Sequence, residues 1–506
     1  MLWFLPVLTG FLLVASFPRA NQGCLAWVAL IPLIVFISHS KTILRALGGG
    51  FVAAAIELFS LFIWIPGVLV RYGGLSAALA WLAYALLISA LACFAAASCA
   101  ATRLLMLRGG SGFLFFLPPI WILLEYAQSI FPFGGLPWLL LGYTQTGYLR
   151  VAQLADITGI YGISFLILWT NTAIAFLLLH RKRARAVLPL AIAGLWIAAC
   201  LFYGSYSLRK WDAVRPNFQA AMLQGNLSID VPEPVLADRF QRGYVKMADA
   251  CKSKPDLLIL PESPTPLFFQ SDPSYRQVLD RLASRFSLGL IFNNVDFREA
   301  AGGTQYYNSA YFLDEKGRLK GVYDKIHLVP FGEYIPLKRL FFFAETISKD
   351  VGSFHAGRDY QIVELGTHPS NAVICFEAVF PELTRRFVAN GSQLIVNLTN
   401  DAWYGRSAAP YQHLAIARMR AVENRRYLLR AANSGISAIV APTGRLQVET
   451  PLFQEAVCEG RFEFIVEKTL YTRYGDVFVF LCAIISLGSM ILAHCVAVRK
   501  RLIGEE

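Results

Sequence analysis

Asn371-Ala-Val-Ile-Cys375-Phe-Glu377 is an apolar run that stops at a cysteine, with an acid two residues further on. Ala372 to Ile374 has the make-up of a buried strand, so the thiol falls at a strand end. Leu257-Leu-Ile-Leu-Pro-Glu262-Ser-Pro likewise carries a glutamate straight off a buried strand, and its prolines prevent the strand from continuing. Tyr323-Asp-Lys325-Ile-His-Leu-Val-Pro-Phe-Gly-Glu333-Tyr sets a lysine and a second acid on an otherwise apolar loop. A cysteine nucleophile needs a base to remove its proton, a fixed positive group beside the developing oxyanion, and access for substrate. These segments supply all three. Taken singly, each residue also has a plain reading, as a core thiol, a surface lysine or a helix-capping acid.

The surrounding segment, residues 216–467, alternates short apolar runs with amphipathic stretches. Buried strands are predicted at Phe218–Leu223, Leu257–Leu260, Leu290–Asn293, Ala310–Leu313, Ala372–Ile374, Leu394–Val396, Leu428–Ala431 and Ala438–Val440. Helices are predicted at Leu236–Cys251, Tyr275–Phe286, Pro381–Asn390 and Pro410–Arg425. That pattern defines an α/β domain large enough to bury its own core. Ser205–Pro216 reads as a short polar link leading into it.

The rest of the chain is unlike an ordinary globular protein. Of 506 residues, 56% are hydrophobic and 16% charged, with a mean hydropathy of +0.49, which places the chain in a membrane. Apolar segments able to cross a hydrocarbon core of about 30 Å lie at Leu2–Phe17, Cys24–Ser38, Leu47–Val70, Leu75–Ala101, Phe113–Ile130, Gly159–Leu179, Ala186–Tyr203 and Val477–Val498, making eight spans. The first lacks a basic start and a small-x-small cleavage site, so it reads as a retained anchor rather than a signal peptide.

Lys41 with Arg45, Arg103 with Arg108, Arg181-Lys182-Arg183 with Arg185, and Arg499-Lys500-Arg501 occupy alternate connections. Basic residues near span ends stay cytoplasmic, so both termini are expected inside and the α/β domain outside. Much of the net charge of +12 lies in these clusters, and no basic-aromatic repeat accompanies it, which argues against nucleic-acid binding. Six of the nine cysteines lie in or beside spans. Of the others, Cys251 and Cys458 are either bridged or two unlinked buried thiols.

Glu57 and Glu125 interrupt spans, either as functional carboxyls or as acids bonded to a neighbouring helix. Phe131-Pro-Phe-Gly-Gly-Leu-Pro-Trp138-Leu-Leu-Leu-Gly-Tyr143-Thr-Gln145 is apolar but broken by proline and glycine. Such backbone either lines a route toward the outer domain, surrounded by protein, or forms an interfacial loop anchored by Trp138 and Tyr143. No metal-ligand spacing and no dinucleotide or phosphate loop occurs, so neither metal nor cofactor is expected.

The ordered motifs Leu260-Pro-Glu262, Asp324-Lys325-Ile-His-Leu-Val-Pro-Phe-Gly-Glu333, Ile374-Cys375-Phe-Glu377 and Asn397-Leu-Thr-Asn-Asp-Ala-Trp403 resemble those of the nitrilase, or carbon-nitrogen hydrolase, superfamily with its Glu-Lys-Cys triad. With the flanking spans, essentially the whole chain resembles the superfamily's membrane-embedded branch, the apolipoprotein N-acyltransferase family. The resemblance implies a seven-helix membrane domain over 1–204, a periplasmic nitrilase-like domain over 216–467 folded as a four-layer α-β-β-α sandwich, and a last span over 474–498, in a bacterial inner membrane.

It also implies that Glu262 is the general base, Cys375 the nucleophile and Lys325 the oxyanion partner, aided by the backbone N–H after the cysteine. The acyl donor would be a phospholipid, with phosphatidylethanolamine expected, and the acceptor the amine of a diacylglyceryl apolipoprotein. A monomer is expected. Glu333 and Glu377 match supporting acids, with Asn308 and Trp403 as second-tier candidates; each also reads as an ordinary surface or core residue. Phe376 stands where aromatic or small polar residues are expected, and a phenyl ring offers no hydroxyl. Phe268-Phe269 and Leu340-Phe-Phe-Phe343 read either as bilayer-dipping gates or as core.

Two alternatives compete with acyl transfer: a membrane-anchored amidase or nitrilase using water as acceptor, and a transporter with an outer ligand-binding domain. The amidase reading predicts free acid or ammonia release without an acylated lipoprotein. A transporter should survive Cys375→Ala.

Overall fold

The computed structural model describes residues 2–228, 233–263, 265–300, 303–335 and 354–502. The chain divides into two compact units, one comprising Met1–Pro66, Ala77–Leu208 and Tyr474–Glu506, the other Gly67–Ser76 and Arg209–Arg473.

Among the described residues, six helices are long and apolar enough to cross a bilayer: Ile43–Leu61, Ala77–Gly109, Ser111–Ile130, Ile160–Leu179, Ala184–Asp212 and Val477–Lys500. The apolar helices Phe4–Ser16 and Gly23–His39 are shorter. Two sequence expectations change. The run Leu47–Val70 is not one helix: it ends at Leu61, and Ile65–Arg71 starts afresh, because Pro66 has no N–H for a continuing ladder and suits a first turn. Ser205–Pro216 is not a link, since the helix Leu188–Asp212 runs through it; Ser205 to Asp212 holds no glycine or proline to stop it.

In the apolar unit, the irregular stretch after Ile130 begins with Phe131 and Phe133 exposed and is embedded in protein from Pro137 to Gln145. Trp138 and Tyr143 are buried, so they are not interfacial anchors. The Leu141 N–H donates to Glu125 Oε1 at 2.9 Å, and the Gly142 N–H to Ser164 Oγ at 2.8 Å. Glu125 thus satisfies backbone that has left its helix, as non-helical peptide at membrane depth requires. Glu57 and Glu125 line one small cavity with Trp121 and Gln128.

The α/β unit holds two six-stranded sheets. The first runs in the order β12 (Ala456–Phe462), β1 (Phe218–Gln224), β2 (Leu257–Ile259), β3 (Gly289–Ala300), β4 (Gly303–Leu313), β5 (Leu319–Asp324). The second runs β11 (Leu446–Glu449), β10 (Ala438–Val440), β9 (Leu428–Ala432), β8 (Ile395–Thr399), β7 (His368–Ile374), β6 (Val363–Leu365). Each has a parallel centre, β1-β2-β3 and β7-β8-β9, continued by antiparallel neighbours. Parallel strands are covered on both faces and read as unbroken apolar runs.

Helices Glu233–Asp249 and Pro273–Ala283 cover the first sheet, placing Phe240, Tyr244, Tyr275 and Leu279 against Leu258, Leu290, Phe292 and Tyr311. Phe269 belongs to this core, its ring centroid 5.1 Å from that of Tyr311, so it is not a bilayer-dipping residue. Half-buried Phe268 packs edge-on against Phe297. Leu340–Phe343 lies outside the described residues. Cys251 and Cys458 are free thiols rather than a bridge.

The strands place chemistry where they end. Glu262 follows β2, Lys325 is the first residue after β5, and Cys375 the first after β7. Lys325 is therefore set by a strand end, not by a free loop. Pairing of Ser309 with Asp324 in the β4–β5 register brings it beside Asn308, whose carbonyl accepts from the Lys325 N–H at 2.8 Å.

At Gly460 on β12, a Cβ would sit 2.7 Å from Ile439 Cδ1 on β10 of the other sheet, so a missing side chain sets the sheet spacing there. Gly460→Ala should destabilise the protein by about 1–3 kcal/mol, read as a lower unfolding midpoint in detergent. Ile439→Val, which removes that methyl, should recover part of the loss in the double variant although it costs about 0.5–1.5 kcal/mol alone. Strict additivity would contradict this packing.

Candidate active site

Three strand ends converge on one buried ammonium. Lys325 Nζ lies 2.8 Å from Glu333 Oε1 and 3.6 Å from Glu262 Oε1, and its side chain is 1% exposed. Asn308 Nδ2 donates to both acids, at 3.0 Å to Glu262 Oε1 and 2.9 Å to Glu333 Oε1. Asn293 holds Asn308 by a 2.6 Å bond to its side-chain oxygen and accepts from the Ser263 N–H at 2.8 Å. The second oxygen of Glu262 accepts from the Asn400 N–H at 3.0 Å, and that of Glu333 from the Val329 N–H at 2.8 Å. Each carboxylate is aimed by backbone donors as well as by charge.

The Cys375 thiol is 6% exposed and lies within electrostatic reach of both Glu262 and Lys325. Its residue has φ of +51°, left-handed backbone that a non-glycine residue adopts only where its surroundings impose it. This turn swings the side chain off the line of β7 into Cys375–Val379, a short 3₁₀ segment.

Burial pushes the thiol pKa up and the Glu262 charge adds to it, against the pull of Lys325. Cys375 therefore rests as a thiol and needs a base at the moment of attack. Burial also raises the Glu262 pKa, opposed by Lys325 and assisted by Glu333. For Lys325, burial disfavours the charge, but Glu333 and Glu262 outweigh it and hold the ammonium protonated. A raised base beside a fixed cation is the pairing that proton abstraction followed by oxyanion formation requires.

Glu377 does not join the charge cluster directly. Fully buried, it accepts from Ile374 N–H at 2.7 Å on one oxygen, and on the other from Tyr323 OH at 2.7 Å, Ile326 N–H at 2.8 Å and His327 N–H at 3.1 Å. It ties the residue before Cys375 to the residues flanking Lys325. Phe376 is buried edge-on against Phe380, centroids 5.1 Å apart. Trp403 stands apart, half-exposed with its ring edge-on to Tyr72 at 4.8 Å.

Sequence reasoning passed over Asn293, Asn400, Tyr323, His413 and Arg430. Arg430 carries a signal, a charge inside the apolar run Leu428–Ala432, and Tyr323 and Asn400 lie in quoted motifs; Asn293 and His413 look like ordinary core or surface residues.

A model of the carbon-nitrogen hydrolase family matches residues 219–463, and one of the apolipoprotein N-acyltransferase N-terminal domain matches residues 9–173. The α/β unit is thus a carbon-nitrogen hydrolase domain, carried on an integral membrane chain. An apolipoprotein N-acyltransferase of Geobacter metallireducens is 36% identical over 511 residues, 99% of this chain and 96% of its own length. Another, of Chlorobaculum tepidum, is 30% identical over 545 residues, covering 99% and 97%. The chain belongs to the apolipoprotein N-acyltransferase family. Among solved structures, Nit3 of Saccharomyces cerevisiae, from the nitrilase superfamily, overlaps 49% of this chain and 91% of its own at 19% identity and a TM-score of 0.38.

Glu377→Gln would turn an amide N–H₂ toward donors that now meet a carboxylate oxygen. It should cost about 1–3 kcal/mol, seen as a lower unfolding midpoint. An unchanged midpoint would contradict the clamp.

Proposed function

We propose that the chain transfers an acyl group from a membrane phospholipid to the N-terminal amine of a diacylglyceryl-cysteine apolipoprotein, through a thioester on Cys375. The observation that carries this reading is a buried thiol at the end of β7 within electrostatic reach of a buried carboxylate that itself lies 3.6 Å from a fixed ammonium. The family's apolar helices support a lipid substrate, because extracting acyl chains into water costs about 0.8 kcal/mol per CH₂.

In the first step Glu262 takes the Cys375 proton while Sγ attacks the ester carbonyl. The oxyanion forms beside Lys325 Nζ and the Phe376 N–H. Collapse breaks the C–O bond, and Glu262 returns its proton to the leaving alcohol, a lysophospholipid. In the second, the acceptor amine attacks the thioester, Glu262 takes the amine proton, the C–S bond breaks and the thiolate is reprotonated. Glu333 and Asn308 hold Lys325 and Glu262 in register, Glu377 fixes the two loops, and Phe376 and Trp403 contribute backbone donor and apolar surface respectively. Phosphatidylethanolamine, expected as donor, brings its sn-1 chain.

The same proposal takes the short helices Phe4–Ser16 and Gly23–His39 as two further crossings, giving eight spans with both termini cytoplasmic and the α/β domain periplasmic, as the basic clusters favour. The membrane part then covers 1–204 and 474–498 and a monomeric catalytic domain 216–467, a four-layer α-β-β-α sandwich.

Incubation with phospholipid alone, followed by peptide mass spectrometry, should give an acyl adduct on Cys375 that is missing from Glu262→Ala; Cys375→Ala should form neither adduct nor product. Free acid or ammonia release without acylated lipoprotein would favour the hydrolase reading. A Cys375 that stays unmodified while product forms would sink the thioester.

A further inference from the structure

Behind Cys375 lies a charged network that the steps above leave unused. His413, on the helix Ala409–Asn424, points Nε2 at the Cys375 carbonyl oxygen, 3.1 Å away. Its Nδ1 is 3.0 Å from Asp401 Oδ1 and 3.1 Å from Arg430 Nη2. Arg430 Nη2 also donates to Asp401 Oδ2 at 2.7 Å, and Nη1 to the side-chain oxygen of Asn397, whose amide donates to the Val373 carbonyl at 3.1 Å. Thr399 Oγ1 donates to Asp401 Oδ1 at 3.2 Å. His413, Asp401, Arg430 and Asn397 are all fully buried.

A carbonyl oxygen only accepts, so Nε2 carries a hydrogen. Burial, and then the Arg430 charge, lower the His413 pKa, leaving the ring neutral and Nδ1 bare, to accept from Arg430. Burial opposes ionisation of Asp401, but the pull of its partners, Arg430 first, outweighs it and holds the carboxyl down at about 2. The ionised Asp401 anchors Arg430, and the Arg430 donor at Nδ1 leaves the imidazole hydrogen on Nε2.

In a planar trans peptide the Cys375 C=O and the Phe376 N–H point in opposite directions. Whatever grips the carbonyl also aims the N–H. With Cys375 at φ +51°, this peptide leaves the β7 ladder and opens the 3₁₀ segment, and His413 adds a side-chain grip on its carbonyl.

We propose that His413 is a positioning residue for the oxyanion site: by holding the Cys375 carbonyl it aims the Phe376 N–H at the substrate carbonyl oxygen, with Arg430, anchored by Asp401, donating to Nδ1 and so keeping its imidazole in the Nε2–H form. This rests on the thioester reading above. No bond is made or broken at His413, and its effect is confined to steps that pass through an oxyanion.

Two reactions of the same thiol separate aim from general damage. Acylation by phosphatidylethanolamine vesicles passes through a tetrahedral oxyanion, whereas alkylation by iodoacetamide displaces iodide at a saturated carbon and does not. Both rates are read on the Cys375 peptide of the full-length protein by mass spectrometry. His413→Asn keeps a polar atom near Nδ1 but stops short of Cys375, while His413→Gln reaches the Nε2 position with a donor. His413→Asn should slow acylation about 10–100-fold, less than the about 100–1,000-fold of losing a donor outright, with alkylation unchanged. His413→Gln should keep the acylation-to-alkylation ratio within about fivefold of the parent.

An unchanged ratio in His413→Asn, or a fall of both rates together, overturns the proposal. So does a folded His413→Gln with a collapsed ratio, which keeps the test alive should His413→Asn not fold. A parent protein that alkylates yet never acylates contradicts the thioester reading instead.

Discussion

One buried ammonium between two carboxylates organises the α/β unit. An uncompensated charge at the depth of Lys325 would cost several kcal/mol, so the lysine is tenable only with Glu333 at 2.8 Å and Glu262 at 3.6 Å. These partners come from separate segments, and the pair forms only when β2 and β5 end together with the Lys325 loop folded back. The same arrangement gives Glu262 opposing influences, burial and Glu333 raising its proton affinity and Lys325 lowering it. A carboxylate so poised is suited to take a proton from a thiol whose own pKa burial has raised.

Around this charge stand two supports of different kinds. Glu377 joins the residue before Cys375 to the segment flanking Lys325 through four donors. The Arg430–Asp401–His413 network meets the backbone of Cys375 itself. Both are fully buried and lie outside the cluster that would meet substrate. A buried charge with its partners in place holds geometry, and the same charge without them is a severe liability. In the apolar unit, Glu125 does a comparable service for the Leu141 N–H.

What was legible in the sequence follows from how each element is buried. β2, β7, β8 and β9 are covered on both faces, so Leu257–Ile259 or Leu428–Ala432 shows as a compact apolar run. The outer halves of β3 and β4, with Arg298, Glu299, Thr304 and Gln305, lie exposed in a polar hairpin and gave no such signal. β12 alternates and owes its place to β1, a partner far away in sequence. Glu262 and Cys375 stood out because each follows an apolar run, and Lys325 because it sits charged on an otherwise apolar loop, the three in the order of a known triad. Asn293, Asn400 and His413 did not, because an amide or imidazole gains meaning only from what it touches, and those contacts are long-range.

Glu333 and Lys325 act on the proton affinity of Glu262 from opposite sides, and Glu262 is the base proposed for Cys375. The most direct measurement is the pH dependence of Cys375 acylation in Glu333→Gln against the parent. The base must be deprotonated to act, so the acid limb of the profile tracks Glu262. Removing the Glu333 charge takes away a repulsion that raises the Glu262 pKa and leaves Lys325 to pair with Glu262 alone. The acid limb should therefore move to lower pH. A limb that stays in place, or moves to higher pH, would contradict the account.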